Sequence, residues 1–191
     1  MSFTTFIIPT IGRASLQRTI DSLLAQQDSD FECIIIFDGI DQSLSSPDSR
    51  FRIVRTPTKL GINRGESPGE SLSAMVRNYG IELVQTDWIS FIDDDDTITP
   101  DYVRFLKEVQ DNDVVIFRMK YFGGLVLPPL DSNEIVNGGV GISFSVRKAI
   151  LDKYNTRFIN SGVEDYELLA SLQRDGARMH VSPYITYHVR H

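Results

Sequence analysis

Apolar runs and amphipathic stretches alternate along the chain, with turn residues between them. Phe3–Ile8 reads as a buried strand stopped by Pro9-Thr10-Ile11-Gly12. Leu16, Ile20, Leu23 and Leu24 then recur at helical spacing behind Ser15, a residue suited to capping the helix. Phe31–Phe37 is a second buried strand ending at Asp38-Gly39, and Phe51–Val54 a shorter third. Thr56–Ser71, rich in Gly, Pro and charge, predicts a long loop of the kind that often carries function. A helix is predicted over Ser71–Val84, with Leu72, Met75, Val76, Tyr79 and Leu83 on its apolar side, followed by a strand over Trp88–Ile92. Thr99-Pro100 starts another helix that runs to Asn112, Pro being favoured at the first helical position. Val114–Tyr121 is the next strand. Gly123-Gly124, Pro128-Pro129 and Gly138-Gly-Val-Gly141 then break the pattern around the short apolar segment Ile142–Phe144. Helices over Arg147–Tyr154 and Glu164–Asp175, a strand position at Met179-His180 and a last strand over Tyr184–Tyr187 complete the chain. Strands alternating with helices imply an α/β fold.

Composition narrows this picture. A chain of 191 residues suits one α/β domain with a real core, and no internal repeat divides it. Its net charge of −7 argues against a nucleic-acid partner and admits an anionic substrate only where a metal or local basic groups screen the site. Cys33 lies in an apolar run, has no second cysteine to pair with, and reads as a small buried hydrophobe in a reducing, cytoplasmic protein. No signal peptide is visible after Met1, and no apolar run approaches the ~20 residues that cross a bilayer.

The chemistry concentrates where the strand Trp88–Ile92 runs into Asp93, Asp94, Asp95 and Asp96. Four adjacent carboxylates repel one another, which raises their pKa values and costs stability. A hard divalent cation such as Mg²⁺, Mn²⁺ or Ca²⁺ relieves that cost through oxygen ligation. Ligands of open α/β sheets also bind beyond the carboxyl ends of strands. The bland alternative is a solvated acidic turn before the helix at Pro100. Asp93-x-Asp95-x-Thr97 also satisfies the haloacid-dehalogenase phosphatase signature, although that motif normally follows a first strand. A calcium loop fits poorly, with Arg104 where a bidentate glutamate belongs.

Taken in order, a set of segments resembles the inverting glycosyltransferases of the GT-A fold, of the broad family-2 type. These are Phe6-Ile-Ile-Pro-Thr10, Ser22-Leu-Leu-Ala-Gln26, Cys33-Ile-Ile-Ile-Phe-Asp-Gly39, Val76-Arg-Asn-Tyr-Gly-Ile81, Phe91-Ile-Asp-Asp-Asp-Asp96 with Pro100-Asp101, and Val163-Glu-Asp-Tyr-Glu-Leu168 ahead of Arg174-Asp-Gly176. The resemblance implies one GT-A domain over residues 1–191, nucleotide-binding to about residue 97 and acceptor-binding and catalytic beyond it. Its sheet is expected to be twisted, flanked by helices and mostly parallel, with a mixed strand pair toward the C-terminal half.

The resemblance also implies roles. Pro9 and Thr10 end the first strand at the nucleotide pocket, and Asp38 accepts the N3–H of uracil, a task suited to an ionised carboxylate. Asp93 and Asp95 hold Mn²⁺ or Mg²⁺ and Asp94 turns to the ribose, with the register along four aspartates open by a residue. Arg13, Lys59, Arg64 and Arg77 are candidate diphosphate partners. His188 and His191 are candidate metal ligands, imidazole suiting Mn²⁺. Glu164-Asp165 matches the Glu-Asp pair at a helix start, with Asp165 as general base. Gly138 and Gly139 let the acceptor approach. The expected activity is metal-dependent sugar transfer from a nucleotide donor, UDP-linked, to a carbohydrate or other hydroxyl acceptor with inversion. A GT-A-like domain that binds without turnover is the alternative.

Overall fold

In the computed structural model, which describes residues 2–41, 44–61 and 73–190, the first apolar run forms strand β1 (Thr4–Thr10), buried along its whole length. β2 (Phe31–Phe37) pairs with it in parallel on one side, and β3 (Phe51–Arg55) continues the sheet beyond β2. β4 (Trp88–Phe91) pairs in parallel on the other side of β1. Covered on both faces, these strands are continuous apolar runs rather than alternating ones.

The chain does not stop β1 at Ile8, although Pro9 follows inside a central strand. A proline there normally forfeits a ladder hydrogen bond. Ile7 accepts the Ile92 N–H at 3.2 Å on the β4 side, and Pro9, two residues on, faces that same side. β4 has already ended at Phe91, so no ladder bond is lost.

The second half of the sheet is built from β5 (Thr97–Ile98), β6 (Val114–Lys120), β7 (Val126–Leu127), β8 (Phe144–Arg147) and β9 (Met179–His188). The strand order is β3-β2-β1-β4-β8-β6-β9-β5, with β7 alongside β6. β8 runs antiparallel between β4 and β6, β9 is parallel to β6, and β5 is antiparallel to β9. Antiparallel pairing thus extends beyond the single mixed pair expected, and β9 begins five residues before the predicted Tyr184 start.

The helices are α1 (Leu16–Leu24), α2 (Ala74–Leu83), α3 (Tyr102–Glu108), α4 (Lys148–Tyr154) and α5 (Glu164–Arg174). Ser15 makes no side-chain cap bond, its own backbone being already helical, and Leu24 is exposed where burial was expected. α3 ends short of Asn112. Met75 faces solvent, and its place on the α2 apolar side is taken by Ala74, Arg77 and Gly80. Leu72, Arg64 and the rest of 62–72 lie outside the described residues, as does His191. A Cβ on Gly80 would stand 2.7 Å from Ile36 Cδ1 and 2.8 Å from Ile7 Cγ2. Glycine is what allows α2 to lie so close to β1 and β2.

Buried hydroxyls cross the core where the sheet changes direction. Ser90 Oγ lies 2.9 Å from Thr4 Oγ1 and 2.6 Å from Ser145 Oγ, which the Tyr102 hydroxyl meets at 3.0 Å. This chain stitches β1, β4, β8 and α3 together with each hydroxyl partnered, as buried polar groups require.

Candidate active site

β1 feeds β2 on one side and has β4 on the other, so the crevice at their carboxyl ends is the topological switch point of the sheet. Thr10 closes β1 there, and the four aspartates follow β4. The Thr10 hydroxyl donates to Asp94 Oδ2 at 2.5 Å across the crevice. Down the acidic run the side chains alternate. Asp93 and Asp95 are 33% and 22% exposed, while Asp94 is at 6% and Asp96 is buried.

The inward pair anchors the loop. Asp94 also meets Arg13 Nη1 at 3.2 Å, and burial raises its pKa against the pull of Thr10 and Arg13. It therefore faces the end of β1. Asp96 accepts the Arg190 N–H at 3.0 Å. Burial, with the nearby Asp93 charge, pushes its carboxyl up to about 7.

The backbone of the run is gripped from two sides. The Tyr187 hydroxyl accepts the Asp93 N–H at 3.1 Å from β9. From α1, Thr19 Oγ1 donates to the Asp96 carbonyl at 2.7 Å and Arg18 Nη2 to the Asp95 carbonyl at 2.9 Å, and past the end of that helix Gln26 Nε2 donates to the Thr99 carbonyl at 2.7 Å. Sequence reasoning missed Thr19 and Tyr187 and gave Gln26 no role. The available signal was a Thr falling on the buried face of an amphipathic helix.

Arg77 lies inside the protein, 3% exposed, among carboxylates. Its Nη2 stands 2.6 Å from Asp93 Oδ1, and its Nη1 lies 3.2 Å from Glu164 Oε1 and 4.0 Å from Asp165 Oδ1. One guanidinium thus joins the acidic run to the start of α5. Asp165 Oδ1 is sealed from solvent without a hydrogen bond. Burial pushes this carboxyl up to about 7, opposed by Arg77 and reinforced by Glu164 and Asp93.

Two cavities flank the run. One of about 310 Å³ lies at the ends of β1 and β2, lined by Gly12, Arg13, Leu16, Gln17, Phe37 and Leu44. Asp38, next to Phe37, is buried and accepts the Leu60 and Gly61 N–H groups at 2.6 and 2.9 Å. Gly39 turns there at φ 67°, where a Cβ would come within 2.5 Å of Lys59 N. The other cavity, about 140 Å³, is lined by Asn137, Gly138, Val140, Glu164, Asp165 and Tyr166 among others. Gly139 instead packs on Val136. His188 sits in register with Thr97, one residue past the acidic run. Burial, then Arg190 and Lys120, lower its pKa and favour neutral imidazole.

The sequence model for "Glycosyl transferase family 2" matches residues 5–164, from β1 through the acidic run to the first residue of α5. The chain belongs to this family. It is 28% identical to the succinoglycan biosynthesis protein ExoO of Rhizobium meliloti, with 97% of this chain and 60% of that protein covered. The fold is similar to that of Staphylococcus aureus TarS residues 1–349, solved also in complex with UDP-GlcNAc. That match has a TM-score of 0.74 at 18% identity in the complex, over 98% of this chain and 58% of TarS 1–349. It is also similar to the mannosyltransferase PcManGT of Pyrobaculum calidifontis, solved with GDP-Man and Mn²⁺, at a TM-score of 0.68 and 13% identity over 97% of this chain and 56% of that one. The chain therefore spans about 60% of the length of these proteins. With family 2 shown, the phosphatase and calcium-loop readings of Asp93 and Asp95 fall away.

Family-2 enzymes of the GT-A fold imply a divalent cation, and the donor set is compatible with one. Among the described residues no three His, Cys, Asp or Glu side chains close into a cage. A Mg²⁺-type site does not need one, since one or two carboxylates plus substrate phosphates suffice. The outward Asp93 and Asp95 supply such oxygens. No helix among the described residues is long and apolar enough to cross a membrane.

Proposed function

We propose that this chain transfers a sugar from a nucleoside diphosphate donor, UDP-linked, to a hydroxyl acceptor with inversion. The observation that carries this is the Arg77 bridge, which sets the outward Asp93 of the donor side against Glu164 and Asp165 of the acceptor side. Asp165 serves as general base. A carboxyl whose pKa lies at about 7 is poised to take a proton at neutral pH. It takes the acceptor hydroxyl proton as that oxygen attacks the anomeric carbon from the face opposite the departing diphosphate. Gly138, at the smaller cavity, leaves room for the acceptor, and Gly139 shapes the turn beside it.

Pro9, Thr10, Arg13, Asp38 and Asp94 border the nucleotide side. Asp38 accepts from the Leu60 and Gly61 amides and from the Thr56 hydroxyl at 3.3 Å, and the second lone pair of Oδ2 would take the N3–H of uracil. Asp93 and Asp95, with His188 nearby, would hold Mn²⁺ or Mg²⁺, which when bound offsets the negative charge that develops on the leaving diphosphate. The nucleotide-sugar complexes of TarS and PcManGT support the donor class. Thermal shift with UDP, GDP and their sugar conjugates, with and without Mn²⁺, tests the reading. Stabilisation by UDP that depends on Mn²⁺ supports it, and indifference to every nucleotide overturns it. Binding without transfer or hydrolysis for any donor would mark a binding-only domain.

A further inference from the structure

One side chain stands where the cation and the diphosphate would meet. Arg13, between β1 and α1, places Nη1 2.7 Å from Asp95 Oδ2 and 3.2 Å from Asp94 Oδ1. The same residue lines the cavity of about 310 Å³ at the ends of β1 and β2. Asp94 is fixed by Thr10 and buried, whereas Arg13 is 43% and Asp95 22% exposed, so their contact can open without disturbing the core.

We propose that Arg13 is a displaceable counter-ion: it neutralises Asp95 in the empty site, yields the carboxylate to a divalent cation, and turns to the donor diphosphate. This rests on the reading above and deepens it, because cation and nucleotide binding become interdependent through one side chain. A guanidinium and a metal ion on one carboxylate repel each other and divide its charge, so a cation arriving alone must weaken the Arg13–Asp95 ion pair. A diphosphate offers the released guanidinium a better partner, since its donor fork matches phosphate oxygens. Nucleotide therefore lowers the cost of displacement, and such coupling is reciprocal.

The test measures Mn²⁺ affinity by electron paramagnetic resonance for the wild type and Arg13→Met, with and without UDP. Arg13→Met is expected to bind Mn²⁺ alone about fivefold more tightly, the worth of a half-exposed ion pair. The factor by which UDP improves Mn²⁺ binding should shrink by about the same fivefold, within the usual range of site coupling. Removing a nearby positive charge without any competition would tighten Mn²⁺ equally in both conditions and leave that factor unchanged, which overturns the proposal. Unaltered Mn²⁺ binding in the variant, with a wild type that binds both ligands, also overturns it and leaves the enzyme reading intact. A wild type that fails to hold Mn²⁺ even with UDP overturns both. Arg13→Gln, expected to behave as Arg13→Met, and unchanged melting temperatures guard against a folding artefact.

Discussion

Arg77 Nη2 lies 2.6 Å from Asp93 Oδ1 in an interior where the arginine side chain is 3% exposed. The same guanidinium also serves Glu164 and Asp165. Arg77→Met would leave these carboxylates without their shared cation, and breaking a buried pair in this way costs about 3–5 kcal/mol. At roughly 2–4 °C per kcal/mol for a chain of this size, the melting temperature should fall by about 10 °C in calorimetry. Arg77→Lys, keeping charge but not the fork, should fall between.

Asp165→Asn separates function from stability. Transfer should drop by about 10²–10⁴, the usual worth of a general base, with nucleotide binding retained. The native pKa of about 7 is raised above the unfolded 3.8, so between these values the folded state holds the extra proton. Stability from this group is full below the unfolded pKa and is lost as pH rises through about 7. The variant should therefore gain melting temperature relative to the wild type at pH 8 and little at pH 4. Wild-type activity should rise with pH through the same range. A variant with equal offsets at both pH values would contradict this account.

Gly80→Ala tests the approach of α2 to the sheet. Alanine suits a helix interior better than glycine, by about 1 kcal/mol. Its methyl, however, would stand 2.7 Å from Ile36 Cδ1, and overpacking of this sort costs about 1–3 kcal/mol. The net expectation is a loss of up to about 2 kcal/mol by urea unfolding. The cavity proposed for the nucleotide is lined by other residues, so UDP affinity should change less than that of Arg13 variants.

Ser145→Ala cuts the hydroxyl chain at its branch. Ser90 and Tyr102 would each lose a buried partner at 2.6 and 3.0 Å, for a cost of about 1–3 kcal/mol. Denaturant titration should show the loss with UDP binding unchanged. A neutral result would mean that the remaining hydroxyls re-pair among themselves.

The central strands were legible because β1, β2 and β4 are buried on both faces, which leaves unbroken apolar runs in the sequence. β5 and β7 are two residues long, too short to show any period, and β9 mixes exposed and buried positions without clean alternation. At the site, the aspartates and Glu164-Asp165 were legible as chemistry. Arg77 was legible as a candidate diphosphate partner but not as a buried bridge between carboxylates, because a charged residue on a predicted helix reads as outward-facing until Gly80 brings that helix down onto the sheet. Asp38 shows the same limit. Its place after a strand was readable, but the amides of Leu60 and Gly61 that claim it come from a distant loop.

The acidic run is fastened at its first residue by Tyr187 and at its last by Thr19 and Arg190. With both ends pinned, its length matters as much as its charge. Removing a single aspartate would still leave three carboxylates, yet the parity of the turn would invert and an outward carboxylate proposed to meet the cation would swing into the interior. A count of acids would predict a mild defect, whereas this geometry predicts a shortened protein that no longer retains Mn²⁺ in equilibrium dialysis.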